Sequence, residues 1–319
     1  MNESADYSSQ GRSTSGHELR IPHDFAGLRL DQALARLFPA HSRSRLQNWL
    51  KAGLVTVDGG QRDSKHRVCG GESLRVLEPL LSQETADQPE DIPLQVVYED
   101  DVLLVIDKAV GLVVHPGSGN WSGTLLNALL HHAPGLSAVP RAGIVHRLDK
   151  DTSGLMVVAK TIETQTELVR QMQARSIRRH YLAVVHGDVE HPGVVEEPIG
   201  RHPLQRTRMA VVRSGRPALT RYVVRERFGC ASLVECRLET GRTHQIRVHM
   251  ASIGHPLVGD ATYGLKRSGD ARLDDFPRQA LHAFRLALRH PGTQSDLSWE
   301  SPLPSDMVAL LAGLRGDDC

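Results

Sequence analysis

From Leu94 to about Arg315 the apolar residues come in short runs, and those runs do not alternate regularly with helical stretches. This ordering constrains the fold more than any other feature of the chain. Gln95–Val97, Val102–Asp107, Gly143–His146, Leu155–Lys160, Tyr181–His186, Leu219–Val224 and Leu233–Leu238 are Val-rich, period-two or wholly apolar, and are bounded by Gly, Pro and Asp. That is the pattern of strands. Helical stretches are read over Thr124–His132, Glu163–Ala174, Thr243–Ser252 and Asp306–Leu314. Strands that outnumber helices without strict alternation predict an α+β fold with a mixed, mostly antiparallel sheet, not a doubly wound one.

At about 150 residues per domain, 319 residues predict two domains. Residues 1–20 are Ser-rich and polar, and are expected to form a disordered tail. Residues 21–79 form a compact small domain, 80–93 an acidic, apolar-poor linker, and 94–319 one large domain. In the small domain Leu30, Ala33, Leu34 and Leu37 share one helical face. Ser42 or Ser44 can cap a second helix carrying Leu46, Trp49 and Leu50 and ended by Gly53. Leu54–Val57 leads into Asp58-Gly59, a hairpin signal, and further strands are expected near Lys65–Val68 and Ser73–Leu77.

Several function classes can be set aside on residue content. Cys69, Cys230, Cys236 and Cys319 lack C-x-x-C spacing, which argues against a structural zinc site or a disulfide framework and fits a reducing compartment. The 17 histidines form no ligand-pair motif, so no metal is expected. No apolar run approaches the roughly 18 residues that span a membrane, and the N-terminus is polar; a cytoplasmic protein is expected. A net charge of +1 does not announce a nucleic-acid binder, so the placement of basic residues decides that question.

Three stretches carry chemistry-bearing residues. Arg141–Lys160 holds the polar loop His146-Arg147-Leu148-Asp149-Lys150-Asp151-Thr152-Ser153-Gly154 between two apolar runs, where a rigid scaffold presents reactive groups. The same residue types also make an ordinary capped turn. In Leu238–Asp260, Thr243 can cap a helix whose apolar stripe is Ile246, Met250 and Ile253. Arg247 lies off that stripe, placed either to reach a carboxylate on a neighbouring loop or to face solvent. In Arg178–Val184, basic residues lead into a strand that starts near Tyr181.

At these residues the chain resembles the ribosomal large-subunit pseudouridine synthases. HRLDKDTSG at 146–154 looks like their signature loop, and LETGRTHQIRVHM at 238–250 like their second motif. The likeness continues through GLVVHPGSGN at 111–120, RHYLAVVHG at 179–187, HPLVGDATYG at 255–264 and QALHAFRLALRHP at 279–291. Residues 29–59 resemble the S4 RNA-binding module these enzymes often carry. The closest likeness is to the D-type enzymes, which modify 23S rRNA. The resemblance implies that Asp149 is the catalytic aspartate, that Tyr181 stacks on the target uracil, and that Arg247 pairs with Asp149. It also implies that Arg147 guides the flipped base or fills its place, with His146 beside it, and that Leu281 lines the pocket.

The implied reaction breaks the N1–C1′ bond, turns the uracil and rejoins it through C5, so no cofactor is expected. A carboxylate can serve it by attacking C1′, by attacking the ring, or by removing the 2′ proton. The implied partner is 23S rRNA or the assembling large subunit, with no membrane and no nucleotide cofactor, and the chain is expected to be a monomer. Arg43, Arg45, Lys51, Lys65 and Arg67, with Arg62 and Arg75, concentrate positive charge for RNA in the small domain. Arg201, Arg206, Arg208, Arg213 and Arg216 form a second basic group. Two other classes compete: a non-enzymatic RNA-binding or ribosome-assembly protein, and a nucleosidase or glycoside hydrolase, which usually needs two carboxylates.

Overall fold

The computed structural model describes residues 14–39, 41, 43–79, 88–117, 120–205, 207–265 and 267–316, with the backbone alone at 14–15, 43–45 and 78–79. The chain divides into two units, Met1–Ala86 and Asp87–Cys319.

In the first unit a four-stranded antiparallel sheet, in the order β1-β4-β2-β3, carries two helices. The strands are β1 (Thr14–Arg20), β2 (Val55–Val57), β3 (Gly60–Gln61) and β4 (Ser73–Pro79). The helices are α1 (Leu30–Leu37) and α2 (Arg43–Lys51). Leu30, Ala33 and Leu34 of α1 pack with Leu46, Trp49 and Leu50 of α2 over Val55, Val57, Leu74 and Val76. Asp58 and Gly59 both take positive φ, 49° and 74°, as a two-residue hairpin turn requires. Two expectations are corrected here. Residues 14–20 are not tail but a strand along β4; backbone hydrogen bonding recruits a polar segment that has little to bury. Lys65–Val68 is not a strand, since Arg67 makes only an isolated bridge to Arg29. Residues 1–13, and 80–87 of the expected linker, lie outside the described residues.

The second unit is built on a nine-stranded sheet in the order β5-β6-β7-β14-β8-β13-β12-β9, with β15 also paired to β14. Its strands are β5 (Gln95–Glu99), β6 (Leu103–Lys108), β7 (Ser153–Ala159), β8 (Arg178–His186), β9 (Gly193–Glu196), β12 (Leu219–Arg227), β13 (Ala231–Leu238), β14 (Leu281–Arg289) and β15 (Asp296–Glu300). A separate hairpin joins β10 (Ile199–Arg201) to β11 (Met209–Val211). The helices are α3 (Leu125–His132), α4 (Ile162–Gln173), α5 (Gln245–Ser252), α6 (Ala271–Asp274) and α7 (Ser305–Gly316). Among the described strands of this sheet only β7 and β14 pair in parallel, so the sheet is mixed and mostly antiparallel, as expected.

Every residue of β7 is buried, because both faces of the sheet are covered there. Met156 and Val158 pack toward α3 through Leu125 and Leu129, while Leu155 and Val157 pack with Leu168 of α4. The expected strand Gly143–His146 is instead the end of a 3-10 turn, Pro140–Gly143. Arg141 and Ala142 sit at φ 57° and 49°, left-handed values that break a strand, and only Ile144 bridges to Val158. Gly154 is obligatory: at φ 115° a side-chain carbon would stand 2.4 Å from the Ala283 carbonyl oxygen, so glycine lets β7 lie against β14. Cys69 and Cys236 are free thiols.

Candidate active site

Residues 146–152 form the loop that delivers the chain into β7, and two buried cations hold its backbone. Lys108, at the end of β6 and 1% exposed, donates from Nζ to the carbonyls of Ala109, Leu112 and Lys150 at 2.8, 2.9 and 2.9 Å. Arg278 donates from Nη1 to the Asp151 carbonyl at 3.0 Å, while its Nε and Nη2 fork onto Asp306. Burial pulls the Lys108 ammonium down to about 8, although Asp151 and Asp149 nearby favour its charge. The loop closes on itself through a hydrogen bond from the Thr152 amide to the Asp149 carbonyl.

The Asp149 carboxylate is 15% exposed, and its Oδ2 accepts from Arg247 Nη1 at 2.9 Å. Arg247, on α5, is buried, not solvated. Its other edge is occupied: Nε and Nη2 donate to Oδ2 and Oδ1 of Asp260 at 2.7 and 2.9 Å. The Asp260 carboxylate is wholly enclosed and also accepts from the Thr262 and Tyr263 amides. Burial alone would raise Asp260, but the Arg247 guanidinium and those amides outweigh it and hold the carboxyl below its ordinary value. The two carboxylates in turn raise Arg247 further, against burial. The Tyr263 ring lies 5.1 Å from the guanidinium carbon, a cation–π contact. Arg247 is thus fixed by Asp260 and offers one N–H to Asp149.

The entry to α5 differs from expectation. Its N-cap is His244, in the left-handed region at φ 56°, and not Thr243. The Gln245 side chain organises the turn: Oε1 accepts from Thr240 Oγ1 and the Arg242 amide, and Nε2 donates to the Leu219 carbonyl and Thr220 Oγ1. His244 Nε2 stands 3.9 Å from Asp149 Oδ1, and its Nδ1 is hydrogen-bonded to the Tyr263 hydroxyl. Burial keeps this imidazole below its ordinary value while Asp149 pulls the other way.

Tyr181 sits on β8 opposite Cys236 of β13 and is 4% exposed. Burial raises its phenol. It shares an apolar cluster with Leu148, Ile246 and Leu281, all buried. Arg147, Asp149, Tyr181, Arg247 and Leu281 all line one narrow cleft of about 50 Å³. A larger cavity of about 530 Å³ shares Arg147, Asp149 and Tyr181 with it. Arg147 is exposed at this mouth, whereas His146 turns inward and accepts from the Val157 amide at Nε2. Among the described residues no three His, Cys, Asp or Glu side chains are arranged to hold a metal ion.

The expected site residues of the second unit therefore gather at one place. Asp260, Lys108, Gln245 and Arg278 were not anticipated. Asp260 falls inside the stretch HPLVGDATYG, and that was the available signal. In the first unit Lys51, Lys65 and Arg67 are exposed, Arg67 with Nη1 on the Gly27 carbonyl. The side chains of Arg43 and Arg45, and all of Arg206, lie outside the described ones.

Residues 102–252 match the family model for RNA pseudouridylate synthase, and 28–74 that for the S4 domain. The chain is 60% identical over 302 residues to ribosomal large subunit pseudouridine synthase D of Nitrosomonas europaea, covering 93% of this chain and 88% of the relative. It is 53% identical over 305 residues to the protein of the same name from Pseudomonas aeruginosa, covering 93% and 95% respectively. Among solved structures it is similar to human RNA pseudouridylate synthase domain containing 4, with a TM-score of 0.56 and 26% identity, covering 69% of this chain and 93% of that one.

Proposed function

The chain belongs to the RNA pseudouridylate synthase family, and from that premise we propose that it converts uridines of the large-subunit 23S rRNA to pseudouridine, with Asp149 as the catalytic carboxylate. The observation that carries the reading is the Asp149–Arg247 contact at 2.9 Å beside a buried tyrosine. The Arg247 fork, anchored at its far edge by Asp260, presents Asp149 with a fixed positive charge that need not reorganise during reaction.

The remaining residues fit the same chemistry. Tyr181 presents a ring for the flipped uracil to stack on, returning roughly 1–3 kcal/mol of what unstacking costs. Leu148, Ile246 and Leu281 keep water from the reacting sugar. Arg147, exposed at the mouth, occupies the path of the departing base. A hairpin loop suits this cleft better than a duplex, since its bases splay out at least cost. In this reading the S4-type unit grips RNA through its exposed basic residues, and the enzyme works as a cytoplasmic monomer without a nucleotide cofactor.

Tritium release from rRNA labelled at uridine C5 tests the reading directly, because joining C5 to C1′ expels that hydrogen. We expect release by the native chain, none by Asp149→Asn, and no free uracil from either. Free uracil would mean hydrolysis; tight, salt-sensitive binding with no release from any rRNA or precursor subunit would leave an RNA-binding protein.

A further inference from the structure

We propose that the arginine-lined cavity beside Asp149 is a seat for one RNA phosphate next to the target uridine, and that Arg179 is the residue that holds it. The inference rests on the reading of the chain as an enzyme acting on RNA, and specifies where the substrate backbone is gripped.

Arg179 lies on β8 two residues before Tyr181, and so on the same face of the strand. It is 9% exposed, and its Nε is buried without a hydrogen-bond partner. No hydrogen bond or ion pair joins its guanidinium to any described residue. Among the described residues the other two buried arginines are both forked onto carboxylates, Arg247 onto Asp260 and Arg278 onto Asp306. A buried cation without a counter-charge is costly, and an anion arriving from outside would relieve that cost.

The surroundings select the anion. Arg141, Arg147, Arg175 and Arg242 line the same cavity of about 530 Å³, against two carboxylates among the described residues, Asp149 and Glu239. Asp149 is already taken by Arg247, and Glu239 by Arg175 and Arg221. His146, in the same wall, accepts at Nε2, so its proton sits on Nδ1, a second buried donor with no partner among the described residues. Gly241 lets the guanidinium lie against the chain: a side-chain carbon there would stand 2.8 Å from Arg179 Nη1. The planar fork of an arginine matches a phosphodiester. Because the cavity opens onto Asp149 and Tyr181, the phosphodiester within reach is one that flanks the reacting nucleotide.

The test uses the full chain and an rRNA hairpin that it isomerises, with each linkage replaced in turn by an uncharged methylphosphonate. We expect Arg179→Gln to weaken binding roughly tenfold to a hundredfold and to flatten its salt dependence by about 0.7 log units per decade of salt. One methylphosphonate flanking the uridine should weaken the native chain to a similar degree and leave Arg179→Gln unaffected. Arg179→Lys should recover part of the loss. In the absence of RNA, Arg179→Met should melt at or above the native temperature, because it removes an uncompensated charge. Unchanged affinity and salt slope in Arg179→Gln would overturn the proposal. So would an Arg179→Met that melts well below native while Arg179→Gln keeps the native response at every linkage, since Arg179 would then serve the fold. If the native chain bound rRNA hairpins in an Arg179-dependent way but released no tritium, the isomerase reading would fall and the phosphate seat would stand.

Discussion

Arg247 and Arg179 reach the cleft around Asp149 from a helix and a strand, and they are about equally enclosed, at 6% and 9% exposure. The fold treats them differently. Arg247 spends its N–H groups on Asp149 and Asp260, stands over the Tyr263 ring, and cannot turn without stranding a carboxylate. Arg179 meets no carboxylate among the described residues, and its Nη1 rests against the glycine at 241. Burial alone therefore does not tell a strut from a receptor; the presence or absence of a protein counter-charge does. In the proposed reading the paired arginine sets the position of Asp149 and the unpaired one waits for substrate.

The strongest way to break this contrast is to make Arg247 resemble Arg179. Asp260→Asn leaves the guanidinium with one carboxylate, and breaking a buried pair from one side costs about 3–5 kcal/mol. The expected result is a large drop in the urea midpoint together with loss of tritium release, since Arg247 then has no fixed edge. The pH dependence follows from the depressed folded-state pKa of Asp260. Its contribution is present above the unfolded value near 3.9 and is lost as the pH falls through the folded one. Native and Asp260→Asn stabilities should therefore converge in acid and diverge toward neutrality. If their difference were the same at all pH values, Asp260 would not be acting through its charge.

That partnership also marks the limit of what could be read beforehand. The α+β class, the helices near 125–132 and 162–173, and the Asp58-Gly59 hairpin follow from periodicity and turn chemistry, which are local. The gathering of Asp149, Tyr181, Arg247 and Leu281 was legible through resemblance, not through spacing, because 98 residues separate Asp149 from its arginine. Asp260 reads as a turn former and Lys108 as a charge ending a strand; their enclosure is a property of the packed sheet. Thr14–Arg20 joins the sheet through its backbone, to which side-chain patterns are blind. Gly143–His146 has the apolar content of a strand, but two left-handed residues just before it turn the chain away.

Lys108 sharpens the contrast with an effect on the order of 2 kcal/mol. It too is a buried cation, but carbonyl oxygens solvate it, and its pKa falls to about 8 from 10.5. Between those values the unfolded chain holds more protons than the native one, so stability rises with pH across that window. Below it both states are charged and the burial cost is fully expressed. Relative to Lys108→Met, the native chain should therefore gain stability between about pH 8 and pH 10, read from urea midpoints. A pH-independent difference would mean that the three carbonyls compensate the charge completely. A lysine can shed its charge where nothing answers it, and an arginine cannot, so an uncompensated arginine needs another explanation.

Gly241→Ala tests that explanation with the smallest change. The added methyl would stand 2.8 Å from Arg179 Nη1, too close for contact, so something must shift, and the nearest atom is the far end of a flexible side chain. If Arg179 is held by nothing on the protein, the guanidinium yields and stability stays within about 0.5 kcal/mol of native, as for most substitutions that disturb no packed feature. The displaced fork would no longer meet its phosphate squarely, so RNA affinity should fall a few-fold, with the salt slope unchanged because the charge remains. An Arg179→Gln background should abolish that loss, as expected for two groups acting through one contact. A fall in melting temperature of several degrees, with affinity intact, would show that Arg179 is as firmly seated as Arg247, and the distinction between strut and receptor would not hold for this cleft.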